Sequence, residues 1–462
     1  MVIFLMLICA LLAVTAFSLL ATAVGMGTIE SMQAFSTAIG GEEWYLEQLA
    51  NDSDWSNEAD QADIALGSGA FDVTINSAAK GSISFTITGK AAGEAAQREV
   101  SITASRFPPA AKFAVYWGRD TGSFLQIRNS STIDGDLWSR GTTEVLSGNS
   151  VTGTSYCPDN ENISGTGSFT EFKVISPYPG MPQIDESYYD NLISTYNALI
   201  AAHGTNSDST LSTNLNLTGG FYGYRTLETT GNITISGNGF IVASRDINLH
   251  ASASASGTLT ISPSGGNIYF LAGRSLTVNS TQNDTNVAIN GDANNRVYLY
   301  SQDSATSRLV RIRKHSSTAT TVDSAVVIGQ RRIIVEGGAR ITNSTLYVSD
   351  VSDTNNYLQI TDSGTAVGTP GNPCNLISVS GRDPGLIINN GASVTGFVYH
   401  WGDNTGYAQV NGATIAGSLV ASQFTNDRIV NSDITYSAAD LPAAPDGFEG
   451  FVSTDTSSWD DK

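Results

Sequence analysis

"GTLTISPSGGNIYFLAGRSLTVNS", residues 257–280, decides the fold. Short β-branched runs are separated by Gly, Ser and Asn turns, and no run is long enough to bury an apolar face by itself. The same rhythm continues in "GNITISGNGFIVASRDINLHA" (231–251), "TVDSAVVIGQRRIIVEGGARITNSTLYVS" (321–349), "GLIINNGASVTGFVYHWG" (385–402) and "DRIVNSDITYS" (427–437). Each strand offers two or three inward candidates, so successive coils must stack to build a core. The architecture expected for 204–440 is a right-handed parallel β-helix of ~10 coils, each about 20 to 25 residues. A propeller lacks its 40-residue blade motif here, and the strands are too short and numerous for a sandwich.

Outward from that body, residues 131–176 carry the first triplets of the same kind, such as Ile133-Asp134-Gly135 and Val151-Thr152-Gly153. Residues 51–130 read as a β-rich linking unit with period-two alternation at Phe71, Val73, Ile75 and at Ile83, Phe85, Ile87. Between 177 and 203 three prolines precede helical spacing at Tyr188, Tyr189, Leu192, Ile193, Tyr196, Leu199 and Ile200, a helical excursion packed on the β body. Residues 441–462, with two prolines and isolated aromatics, are expected to lie extended on that body.

The front of the chain sets the compartment. Residues 1–29 contain no charged side chain, and "MVIFLMLICALLAVTAFSLLATAV" is long enough to span a bilayer, which takes ~20 residues. A cleavable signal would show a basic start and a shorter apolar core, so this is read as a retained element. Helical spacing then continues through "TIESMQAFSTAIGGEEWYLEQLA", with Ile29, Met32, Phe35, Ile39, Trp44, Tyr45 and Leu49 apolar. One helix over 1–50 would reach ~75 Å, more than a membrane anchor needs.

An apolar start running into "AFSTAIGGEEWYLEQL" resembles the N-terminal domain of type IV pilins, in particular the large PilX-type minor pilins; the closing Pro-rich stretch before Ser-Trp is similar as well. The resemblance implies a mainly β outer part behind a long N-terminal helix that waits in the inner membrane and then packs with copies of itself or other pilins in an extracellular, cell-surface filament. It implies assembly residues along Met1, Phe4, Leu5, Leu12, Phe17, Leu20, Val24 and Glu30, with Met1 as the processed N-terminus. Major pilins carry Glu at the fifth position; Leu5 stands there in this chain, which points to a minor or atypical subunit. The rival functions are a tip adhesin binding glycans, with Trp401 and Tyr407 as candidates, and a membrane-tethered carbohydrate-active β-helix enzyme.

Composition supports a structural role. With 46 glycines, 14% charged residues and a formal net charge of -20, the chain suits many short strands and lacks the clustered cations that nucleic acid requires. Asp134 with Asp136, Asp350 with Asp353, and Asp383 beside Arg382 are the available acidic clusters, and each reads as turn capping before catalysis. No cofactor, metal site or enzymatic activity is expected. His203, His250, His315 and His400 are isolated. Arg311 and Arg313 share a strand face and Arg332 falls about one coil later, where it is expected to stack on Arg311; this row is a candidate subunit contact, with pairing to Glu336 as the simpler reading. Cys157 and Cys374 are either a disulfide or two separate buried thiols. Eight Asn-x-Ser/Thr triplets, Asn279 among them, are candidate glycosylation sites.

Overall fold

The structure, a computed structural model, describes residues 29–49, 58–79, 82–92, 96–105, 109–118, 124–158, 163–174, 181, 184, 186–252, 255–279, 285–302, 309–314, 318–350, 356–402, 406–441 and 453–461. The assembly residues expected from Met1 to Val24 lie outside them. The protein is mainly β, and two compact units divide it: Met1–Pro108 with Phe448–Lys462, and Pro109–Gly447.

The first unit pairs helix α1 (residues 29–49) with an antiparallel sheet of β1 (Gln61–Leu66), β2 (Gly69–Ala79), β3 (Ser82–Lys90) and β4 (Gln97–Ser105). Period-two alternation in the sequence delivers the inner face: Phe71, Val73, Ile83, Phe85, Ile87, Val100 and Ile102 are buried. The closing strand, Ser453–Asp461, was expected on the parallel body; it pairs antiparallel with β4 and completes the five-stranded sheet. The expected linking unit 51–130 likewise divides near Pro108, because the strands after it belong to the parallel body.

That body begins with β5 (Val115–Trp117), β6 (Phe124–Arg128), β7 (Thr132–Asp134), β8 (Leu137–Ser139), β9 (Thr142–Val145), β10 (Ser150–Cys157), β11 (Ile163–Ser164) and β12 (Ser168–Val174). Helix α2 (Ser187–His203) follows, then β13 (Ser209–Leu211) and β14 (Leu215–Tyr224). From there up to Thr414–Ala421 each strand pairs in parallel with one further along the chain. One column runs Leu227, Ile247, Leu276, Val310, Ile333, Leu358, Leu386, Ala408 and Phe424, all with no exposed surface. Such continuous apolar columns are what parallel ladders demand, since each level buries its neighbour. The interval varies from 276–310 to 408–424, so level length is less regular than the expected 20 to 25 residues. Strand Gly257–Ala272 pairs along one edge with Ile233–Ala243 and along the other with two strands, Thr285–Ile289 on its first half and Val297–Ser301 on its second. It bends between them where Gly265 and Gly266 take positive φ of 69° and 139°.

The order of levels departs from chain order. β6 pairs with Phe424–Val430, β7 with Asp433–Thr435 and β5 with Thr414–Ala421, so the early strands continue the ladders that the late strands leave. Backbone bonds seal the junction: Thr132 N–H to Ser432 O at 3.0 Å, Leu419 N–H to Ala114 O at 3.0 Å and Tyr436 N–H to Asp134 O at 2.8 Å. Helix α2 makes this order feasible by carrying the chain back across the levels. Tyr189 stacks on Tyr347 at 3.6 Å, Asn197 accepts from Tyr300 Oη at 2.6 Å, and His203 stacks on Phe221 at 3.8 Å.

Helix α1 lies close to its sheet because small residues face it. Ala34 and Ala38 are fully buried, and a Cβ added to Gly89 of β3 would run into the Ala34 carbonyl oxygen and the Ala38 amide nitrogen. Replacing Gly89 by Val is therefore expected to push α1 away and destabilise the first unit by about 1–3 kcal/mol, read as an earlier thermal transition; an unchanged transition would contradict the close approach.

Candidate assembly surfaces

At the start of α1 the face turned from the sheet is apolar, and further on its exposed residues are Ser36, Glu43, Glu47 and Gln48. Ile29 is 66% exposed, Met32 67% and Phe35 43%, whereas the buried positions are Ala34, Thr37, Ala38, Tyr45 and Leu49. Toward its start the helix buries the small Ala34, Thr37 and Ala38 and presents the large Ile29, Met32 and Phe35, while further on Tyr45 and Leu49 are buried. Residues 29, 32 and 35 recur at spacings of three, which sets them on one face. Glu30, the only expected assembly residue within the described set, is half-buried beside this stripe. Among the described residues no helix is long and apolar enough to cross a membrane, and the apolar run 1–24 lies outside them.

The arginines meet differently from expectation. In register, Arg311 opposes Ile334, while Arg332 opposes Tyr357 one level on, because the longer corner between the strands shifts the pairing by two residues. Arg311 and Arg332 therefore do not stack in one column. Arg311 instead forms an ion pair with Glu336 at 3.3 Å. Arg313 donates from Nε to Asn279 O at 3.1 Å, and burial, then the neighbouring Arg311 charge, hold its guanidinium below the usual value. Arg332 and Arg382 both lie over the Tyr357 ring, at 5.2 and 4.2 Å, a cation–π arrangement the sequence did not reveal since these residues are far apart in the chain. Half-exposed pairs such as Arg311–Glu336 contribute little to stability, typically about 0.2–1 kcal/mol.

The two body cysteines are not joined. Cys157 donates to Pro158 O at 3.3 Å, and Cys374 sits under Ser344 N–H at 3.4 Å, its thiol pushed up to about 12 by burial. Asn279 is fully enclosed, bonding to Thr285 O and Thr320 Oγ1, which rules out a sugar at that triplet. Of the acidic clusters, Asp136 accepts from the backbone N–H of Thr154 at 2.7 Å, whereas Asp134, at the end of β7, accepts from the hydroxyl Thr152 Oγ1 of the next level at 2.5 Å. Asp383 accepts from Thr425 Oγ1 at 3.2 Å. Asp353 lies outside the described residues.

No protein-family model matches the chain, and no curated protein matches it. Among solved structures it is similar to the competence-associated pilin ComZ from Thermus thermophilus, at 12% identity and a TM-score of 0.17, over 94% of this chain and 97% of that one.

His400 is a titratable group fully enclosed by the parallel body. It has no exposed surface, lies beside the backbone of Ser378 and Gly406, and burial depresses its imidazole to about 4. A base held below its unfolded value near 6.5 stays neutral in the native state, so the unfolded chain takes up more protons as acid is added. Stability from this group is complete above pH 6.5, is lost as pH falls from 6.5 to 4, and changes no further below that. The unfolding free energies of wild type and His400→Gln are expected to converge by about 3 kcal/mol between pH 7 and pH 4. A constant difference across that range in chemical denaturation would contradict a neutral buried imidazole.

Proposed function

We propose that the chain is a subunit of an extracellular, type IV pilin-like filament. In this reading α1 continues the apolar run 1–28 as one assembly helix, inserted in the inner membrane before assembly and packed afterwards with copies of itself or with other pilins. The parallel body is carried outside as a right-handed β-helix, the hand that parallel crossovers adopt almost without exception. Its support is the succession of parallel pairs from β14 to Asp433–Thr435, each joining one level to the next. The role is structural and not catalytic: the candidate aspartates at 134 and 136 hold Thr152 and Thr154 of the neighbouring strand β10 by hydrogen bonds.

The observation that carries this reading is the outward stripe of Ile29, Met32 and Phe35 on a helix that already buries its other face. A helix with one side closed on its own sheet exposes large apolar residues only at a cost, which a neighbouring helix removes. Arg311 and Arg313 remain the candidate lateral contact in the same assembly.

The test is a charged stripe. Ile29→Asp with Phe35→Asp is expected to abolish filaments in electron micrographs of cells while leaving the β circular dichroism of the purified chain unchanged. Normal filament yield from that variant would reject the assembly role of α1.

A further inference from the structure

We propose that the parallel body associates head to tail with a second copy of this chain, the β11/β12 end of one docking on the β13/β14 end of the next. The two ends are the unfinished edges of the same ladders. In the 13-stranded sheet β11 and β13 are the terminal strands, so each leaves one edge without a partner among the described residues. Such edges hold rows of unsatisfied N–H and C=O groups and template further pairing.

Among the described residues no further level stacks on the apolar side chains at the β12 end. Val151 opposes Phe169, Ser155 opposes Phe172 and Cys157 opposes Val174. The inner members of these pairs are buried, yet Phe169, Phe172 and Val174 are 40%, 37% and 48% exposed. Stacked architectures close their last level with a polar face, and this level does the opposite. At the other end Leu215, Tyr222 and Tyr224 stand over Ile235, Ile241 and Ala243 and are half-exposed.

A second copy fits because the two edges match. Both β12 and β14 are parallel strands in two halves with a register break between them, after Val151 in the β10–β12 pair and after Thr218 in the β14–β16 partnership with Ile233–Ala243. Placing β14 on β12 with inward residues together sets Tyr222 on Phe172 and Tyr224 on Val174, leaving Glu171 beside Phe221 on the outer side. The fold already contains one contact of this kind: β5, β6 and β7 dock on the late strands with no chain connection at that level. The junction between copies repeats that internal junction. Since the β12 end meets the β14 end and not itself, the contact is heterologous and propagates.

The test uses the full chain in detergent with Ile29→Asp, Met32→Asp and Phe35→Asp present, so that the helix stripe makes no contribution. Sedimentation velocity is expected to show mass rising with concentration, and adding Phe169→Asp with Phe172→Asp to weaken association tenfold or more, about the scale of one lost core contact. As a check independent of those two exposed positions, Glu171→Cys combined with Phe221→Cys is expected to give disulfide-linked multimers on mild oxidation, and neither single variant to do so. A chain that stays monomeric at every concentration, or multimers that ignore the aspartates and fail to crosslink, would overturn the proposal.

Discussion

Parallel strands cannot satisfy themselves. Each backbone N–H and C=O of one level needs the next level at a fixed spacing, and each inward side chain needs a residue above and below it. This demand explains the column from Leu227 to Phe424, in which nine successive positions are apolar and enclosed. It also explains why the late ladders do not stop at Asp433–Thr435: β5, β6 and β7 take the place of the level the chain no longer provides. Helix α2 is the connector this requires, and its tyrosines pack against Tyr347, Tyr300 and Tyr269 as it crosses the levels.

The first unit answers a different constraint. An α-helix approaches a sheet closely only where both surfaces are small, and Ala34, Ala38 and Gly89 meet that condition. The consequence is that Ile29, Met32 and Phe35 are left outside. One packing decision thus connects an Ala-rich helix segment to the apolar surface on which the filament reading depends.

Much of this was legible in the sequence. The short alternating runs after Leu211 announce parallel levels, and the Tyr-rich spacing of 188–200 announces α2, because both depend on local periodicity. The junction between early and late strands was not legible, since it joins residues some three hundred positions apart and leaves no periodic trace at either end. Which apolar residues of α1 face the sheet was not legible for a related reason: periodicity marks an apolar set, and the close approach to Gly89 decides that Ala34 and Ala38 lie inward. The Arg311 column failed because counting residues from 311 to 332 ignores the corner that shifts the register by two. Pairing with Glu336, by contrast, followed from charge alone, as a cation in a chain of net charge -20 has carboxylates within reach.

The most direct measurement of the central claim is a helical reconstruction of native filaments by electron cryomicroscopy. The account predicts that Ile29, Met32 and Phe35 lie against helices of neighbouring subunits at the filament core, with the parallel body on the outside. Filaments in which that stripe faces solvent, or native chains found singly in the membrane with no helical neighbours, would contradict it.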